Sequence, residues 1–317
     1  MHAGIPVPEE EADSATAADG ALPRPWQTVR INRAIDLIEA RLDQPLHLPA
    51  LAAMAHYSPF HFHRIFQTIT GETCHDFVNR RRLTRVAGRL VNEAHLPIGQ
   101  LALDGGFGTA ASFSRSFQQK FGMSPSQWRS GGAREHEARL LLQQQMRQQQ
   151  YTAQLPPEPP LQTSNGRIET EVIPPEQVAY LRSRGINGWA LSLEWEKLYR
   201  WYRQQTFASP HPQAIGCFYG YSTLQGIDVE SYDCCFPLPP GATVSGEIGN
   251  RILPGGRFAL LPFSGNPYAA LLHYLNEWLP DSGWIVEDRE FREYFTTTGG
   301  IPEGYILVPV RRAPCKY

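Results

Sequence analysis

The sequence predicts a two-part fold. An all-α domain carrying a double helix-turn-helix is followed by an α+β domain of two strand-strand-helix-strand-strand halves with pseudo-twofold symmetry. Three observations carry this. The stretch from Gly105 to Arg129 reads as the end of one helix, a tight turn, a second helix and a glycine stop. A looser copy runs from Tyr57 to Gly71. In the second half β-like runs replace the helical pattern, and one order of elements appears twice.

The 317 residues suffice for two domains of ordinary size. Residues 1–25 are acidic and rich in Ala and Pro, without the basic start and apolar core of a signal peptide, and read as a disordered tail. The first helix is expected from Trp26 to Arg41, with Val29, Ile31, Ala34, Ile35 and Ile38 at helical spacing. Pro45 ends it. Leu48 to Ala55 forms a short helix, and Ser58 caps the next one, with Pro59 in its first turn and Gly71 as its stop. Thr73 to Asn92 reads as one long helix. Pro97 opens a further helix to Gly105, and Thr109 caps the one after it. Residues 26–130 make up this domain, and 131–165 are a Gln- and Pro-rich linker.

In 166–317 the β-like runs are Ile168–Ile173, Val178–Arg184, Ala214–Ser222 and Tyr232–Leu238, with a helix from Trp189 to Gln205. The echo is Arg251–Leu253, Arg257–Phe263, a helix Tyr268–Leu279, Trp284–Tyr294 and Tyr305–Val310.

Charge separates the two parts. Residues 26–132 hold twelve Lys and Arg against seven Asp and Glu, whereas 166–317 hold thirteen against sixteen. A basic domain joined to a mildly acidic one suits a nucleic-acid reader coupled to a sensor. No apolar run reaches the ~18 residues of a membrane span, and a cytoplasmic location is expected. The five cysteines lack paired metal spacing and read as reduced thiols, with Cys234 and Cys235 on opposite strand faces. No metal, cofactor or catalytic residue is expected: the chain has no G-x-S-x-G, H-E-x-x-H or phosphate loop.

A helix-turn-helix needs a small residue where its helices meet, and Ala52 and Ala102 occupy that place. Gly105-Gly106 supplies the second turn; His56-Tyr57 supplies the first without glycine. In the first recognition helix Phe62, Ile65, Phe66 and Ile69 form the apolar face, leaving Phe60, His63, Arg64 and Gln67 outward. In the second, Phe113, Phe117 and Phe121 are core, while Ala111, Ser112, Ser114 and Arg115 lie on other faces. An Arg fork fits two guanine acceptors at once, and Ala or Ser can meet a thymine methyl. Arg64 and Arg115 serve as base readers, phosphate contacts or salt-bridge partners; His63 contacts DNA or is solvated. The connecting helix is roughly 30 Å long, close to the roughly 34 Å of one DNA turn. It can therefore place two recognition helices in successive major grooves. Arg80, Arg81 and Arg85 lie on it and either neutralise phosphates or pair along the helix with acids such as Asp76 and Glu93.

Residues 26–130 resemble the AraC/XylS family of bacterial transcription regulators. The pattern I-x-x-[IL]-A-x-x-x-G-F stands as Ile98, Leu101, Ala102, Gly106 and Phe107. It continues through Ser112, Phe113, Ser114, Arg115, Phe117, Phe121, Gly122 and Pro125 to Trp128-Arg129, where Tyr-Arg is commoner. The resemblance implies base contacts at Phe60, His63, Arg64, Ala111 and Arg115. The expected partners are double-stranded promoter DNA, a small-molecule effector and RNA polymerase, with no membrane.

Residues 167–312 resemble the GyrI-like effector-binding domains of the Rob-like branch. The features are Tyr232-Asp233-Cys234 before Leu238-Pro239, Leu253 to Ala259, Phe263-Ser264-Gly265, Trp278-Leu279, and Arg289 through Tyr294. The resemblance implies an aromatic groove that takes lipophilic cations in multidrug-type members, with Tyr219, Tyr221, Phe263, Tyr268, Trp278 and Tyr294 as lining or core. Where the family has Phe-Glu-x-Tyr, this chain has Phe291-Arg292-Glu293-Tyr294. Arg292 at the Glu position favours an anionic or neutral ligand, unless a one-residue bulge returns Glu293 to the groove. The expectation is therefore a sensor that is not a simple lipophilic-cation binder. The alternatives are a GyrI-like hydrolase, or a degenerate sensor controlled by abundance or a partner.

Overall fold

The computed structural model describes residues 23–136, 138–140, 168–184, 188–219, 231–265, 267–287, 289–296 and 303–313. The N-terminal half contains α1 (Pro25–Ala40), α2 (Leu48–Met54), α3 (Pro59–Thr70), α4 (Cys74–Asn92), α5 (Ile98–Asp104), α6 (Ala110–Phe121) and the single turn α7 (Pro125–Gln127). α3, α4 and α6 begin where the sequence offers a hydroxyl cap. Ser58, Thr73 and Thr109 hydroxyls accept from the backbone N–H of His61, Asp76 and Ser112 at 3.3, 3.1 and 3.0 Å. Gly71 and Gly122 end α3 and α6 in the left-handed conformation, at φ 80° and 73°.

The two turns are built alike. The Tyr57 N–H donates to the Ala52 carbonyl at 2.9 Å, and the Phe107 N–H donates to Ala102 at 3.1 Å. Gly106 sits at φ 85°, and a Cβ there would strike the Leu42 carbonyl. His56 takes the equivalent place at φ 56°, a conformation that costs a side-chain residue roughly 1–2 kcal/mol. The first turn thus has the same geometry without the glycine that makes the second one conspicuous.

Two separate cores flank the long helix. Ile31, Ile35, Ile38, Leu51, Phe62 and Phe66 pack with Cys74, Phe77 and Val78 from the first turns of α4. Leu101, Phe107, Phe113, Phe117 and Trp128 pack with Leu83, Val86, Ala87 and Leu90 from its remainder. Each helix-turn-helix is therefore its own small body, and α4 is their shared strut. The second body extends past the expected boundary at 130. Ala133 is buried in its core, and the His136 ring lies 5.1 Å from that of Trp128. Residues 141–167, most of the expected linker, lie outside the described residues, as do 1–22.

The C-terminal half contains β1 (Glu169–Ile173), β2 (Glu176–Arg184), α8 (Gly188–Arg203), β3 (Ala214–Tyr219) and β4 (Ser231–Pro237). It continues with β5 (Gly249–Leu253), β6 (Gly256–Ser264), α9 (Pro267–Glu277), β7 (Trp284–Val286), β8 (Glu290–Phe295) and β9 (Glu303–Arg312). The expected run Trp284–Tyr294 is broken between β7 and β8. There the Arg289 N–H turns back to the Glu287 carbonyl at 3.0 Å, and its guanidinium reaches the Gly255 carbonyl at 3.0 Å.

Every strand pair is antiparallel, in the order β1-β6-β9-β8-β3-β4-β2-β5, with β7 on the end of β9. Exchange β1 with β5, β2 with β6, β3 with β8 and β4 with β9, and the order reads the same backwards. The pseudo-twofold axis therefore runs between β3 and β8. Each half donates its first strand to the edge of the other half. Leu198 and Tyr202 of α8 and Ala270, Leu271 and Tyr274 of α9 pack on one sheet face, with Phe218, Tyr232, Phe236, Phe263 and Phe291. Cys234 belongs to that face and Cys235 to the opposite one, as alternation requires.

Candidate functional site

The exposed faces of α3 and α6 carry cationic and polar side chains beside apolar Phe60 and Ala111. Phe60, 83% exposed, stands in the first turn of α3, followed by exposed His63 and Arg64. The Arg64 guanidinium contacts His61 Nδ1 at 3.4 Å and pairs with no carboxylate among the described residues. On α6, Ala111 and Arg115 are exposed, and Arg115 likewise has no ion pair among the described residues. Ser112 is committed to the helix start, its hydroxyl donating to the Thr109 carbonyl at 2.8 Å. Ser114 is half-buried.

Of the α4 arginines expected to meet phosphates or acids, Arg80 and Arg81 meet acids. Arg80 grips Glu72, with Nη2 to Oε1 at 2.6 Å, and Arg81 grips Glu39 at 2.5 and 3.0 Å. Arg85 lines a cleft of about 1040 Å³ between the two halves, with Asp36, Glu93, Arg251 and Arg311 on its walls. The acids that hold Arg80 and Arg81 are eight and forty-two residues away in sequence. Helical spacing along α4, which pointed to Asp76 and Glu93, therefore could not reveal them. Of those two acids, Glu93 does pair, with Arg89 at 3.0 Å.

On the sheet, β8 decides the second site. Glu293 pairs in regular register with Gly216 of β3 and Ile306 of β9, without a bulge. It lies on the helix-covered face with Phe291 and Phe295. Its Oε2 accepts from the Tyr232 hydroxyl at 2.6 Å. The Trp195 ring of α8 lies 6.5 Å from Tyr232 and 6.1 Å from Phe295, the latter edge-on at 87°. Phe218 stacks on Tyr232 at 8° between planes. Gly216 makes room for this pair, because a Cβ there would strike the Tyr232 hydroxyl. Burial pushes the Glu293 carboxyl up to about 7, with the Tyr232 hydrogen bond working in the opposite direction.

Arg292 and Tyr294 face the other way. Arg292 is fully buried behind the sheet, donating to the Pro254 carbonyl at 2.5 Å and to Glu290 at 3.1 Å. The Tyr294 hydroxyl donates to Glu176 at 3.0 Å. The expectation that Arg292 replaces the acid among the aromatics is therefore corrected: strand alternation alone puts Glu293 there. Phe263 is buried 5.9 Å from the Phe295 ring, and Trp278 is half-buried against the same core. Tyr221 lies outside the described residues, and so do the side chains of Tyr219 and Tyr268. Trp195, Phe218, Tyr232 and Phe295 were not singled out as site residues. The alternation of Tyr232 and Cys234 with buried neighbours was the available signal, but only the pairing register aims Tyr232 at Glu293.

Two family models match the chain. One, a helix-turn-helix domain, covers residues 51–131, and the other, a GyrI-like small molecule binding domain, covers 167–306. The regulatory protein SoxS of Salmonella typhimurium is 33% identical over 99 residues, which is 31% of this chain and 92% of SoxS. SoxS of Escherichia coli K12 is 34% identical over the same length. The right origin-binding protein of Escherichia coli K12 is 37% identical over 92 residues, 29% of this chain and 32% of that protein. The fold and the matches define a DNA-binding transcription regulator with a GyrI-like domain. The chain belongs to the AraC/XylS family. Among the described residues no helix is long and apolar enough to cross a membrane.

Proposed function

We propose that the C-terminal half senses a lipophilic cation, in place of the ligand expected while Arg292 stood in the acid's position, and that its occupancy changes how the N-terminal half binds promoter DNA. The observation that carries this reading is Glu293: a carboxylate inside an aromatic cluster, held by one hydroxyl. Ionising a buried acid is costly without a counter-charge. An incoming cation supplies that charge, and the faces of Trp195, Tyr232 and Phe295 add cation–π attraction. Trp195 and Phe295 are half-buried, which gives the cluster an open side. Calorimetric titration with tetraphenylphosphonium tests the reading. Binding that is lost in Glu293→Gln supports it, and equal binding in both proteins refutes it.

In this reading Arg64 and Arg115 read bases, Phe60, His63 and Ala111 complete the two contact surfaces, and RNA polymerase is the partner at the promoter. The division into a DNA-binding part that begins near 26 and runs past 130 to His136, a linker and 166–317, and a cytoplasmic setting, belong to the same proposal. Arg115→Ala is expected to weaken specific binding by about 1–3 kcal/mol while leaving random DNA nearly unaffected. Fluorescence anisotropy on both DNAs checks this, and equal loss on random sequence would assign Arg115 to phosphate.

A further inference from the structure

Behind the sheet runs a line of alternating charges that begins in the DNA-binding half. Asp36 of α1 accepts from Arg182 Nη2 at 2.7 Å and from the Tyr180 hydroxyl at 2.9 Å. Arg182 grips Asp233 at 2.6 and 2.7 Å. Asp233 also meets Arg251 at 3.0 Å, Arg251 meets Glu290 at 2.6 Å, and Glu290 meets Arg292 at 3.1 Å. The line therefore ends on the residue next to Glu293, on the opposite face of the same strand.

Its burial makes the line sensitive to its ends. The Arg182, Asp233 and Glu290 side chains are 2, 4 and 3% exposed, and Arg292 is 0%. Within the C-terminal half the members of the line are three arginines and two carboxylates. Asp36 adds a third carboxylate from α1. Arg184, a further half-buried cation beside the line, donates to Asn32 of α1 at 2.9 Å. A buried pair that loses one partner is far costlier than an exposed one, so a shift anywhere in the line is felt at the Asp36 contact. A second inter-half pair, Arg311 with Glu93 at 3.1 Å, has an arginine 40% exposed and stands apart from the line.

We propose that this charge line, ending in the Asp36–Arg182 contact, is the route by which a change at Glu293 reaches α1 and hence the first helix-turn-helix. The inference rests on the C-terminal half being a sensor, but its test requires no effector. Amide hydrogen exchange is measured on the full-length chain, with Glu293→Gln as the perturbation. The expected result is a change of about tenfold in exchange of α1 amides, in the range of ordinary allosteric coupling. In an Asp36→Asn background the same perturbation is expected to leave α1 essentially unchanged, whereas in an Arg311→Gln background it persists. Because Asp36 lies at the rim, 22% exposed, its isosteric replacement is compatible with folding. An unchanged α1 in the otherwise wild-type chain, or an equal response with and without Asp36, overturns the proposal. Failure of tetraphenylphosphonium to bind, with the exchange coupling intact, counts against the cation reading alone.

Discussion

Trp128→Ala is expected to destabilise the second helix-turn-helix by about 3–5 kcal/mol, the usual cost of truncating a fully buried large aromatic. Trp128 is completely buried, and its indole N–H donates to the Ala87 carbonyl of α4 at 3.0 Å. Its ring meets Phe117 edge-on at 5.5 Å and Phe121 at 4.6 Å. It therefore fixes the recognition helix α6 against the strut α4. Since the two helical cores share no residue, the first unit is expected to stay folded. Urea unfolding followed by exchange at Phe62 and Phe113 checks both parts. Loss at Phe113 with retention at Phe62 is the expected pattern. Simultaneous loss would mean that α4 couples the two cores into one cooperative body.

Glu293→Gln is expected to stabilise the protein at alkaline pH. The carboxyl is held at about 7 by burial, above its ordinary 4.5. The native state thus keeps a proton that the unfolded chain releases. The stability this provides is complete below pH 4.5 and disappears as pH rises through about 7. The glutamine variant does not titrate, so its advantage over wild type grows by up to roughly 3 kcal/mol between acid and alkaline solution. Thermal unfolding on either side of that window checks the sign. An advantage that shrinks with rising pH would contradict the placement of Glu293. The same substitution removes the proposed cation ligand, so stability and sensing are expected to oppose each other at this position.

The helical half was almost fully legible because its signals are local. Ser58, Thr109, Gly71 and Gly122 each mark a helix end within one turn of chain. The first turn, which has no glycine, hides its left-handed conformation at His56 behind a residue that does not advertise it. The paired order of strands and helices was legible too, since each half repeats it. What escaped were contacts between segments distant in sequence. Arg81 finds Glu39, and Tyr232 finds Glu293, across separations that no local pattern encodes. Arg292 was misplaced for a related reason. A motif aligned by type put it in the acid's place, whereas the face of a strand is set by pairing register.

In the proposed function, occupancy at Glu293 alters DNA binding. Genome-wide footprinting of the full-length protein supplies the bound fragments. Their affinity is then measured with and without saturating tetraphenylphosphonium, for wild type and Glu293→Gln. A shift of about 5–150-fold is expected in wild type, the span of ordinary coupling free energies, and none in the variant. A wild-type protein that binds the cation yet holds its DNA with unchanged affinity would contradict it.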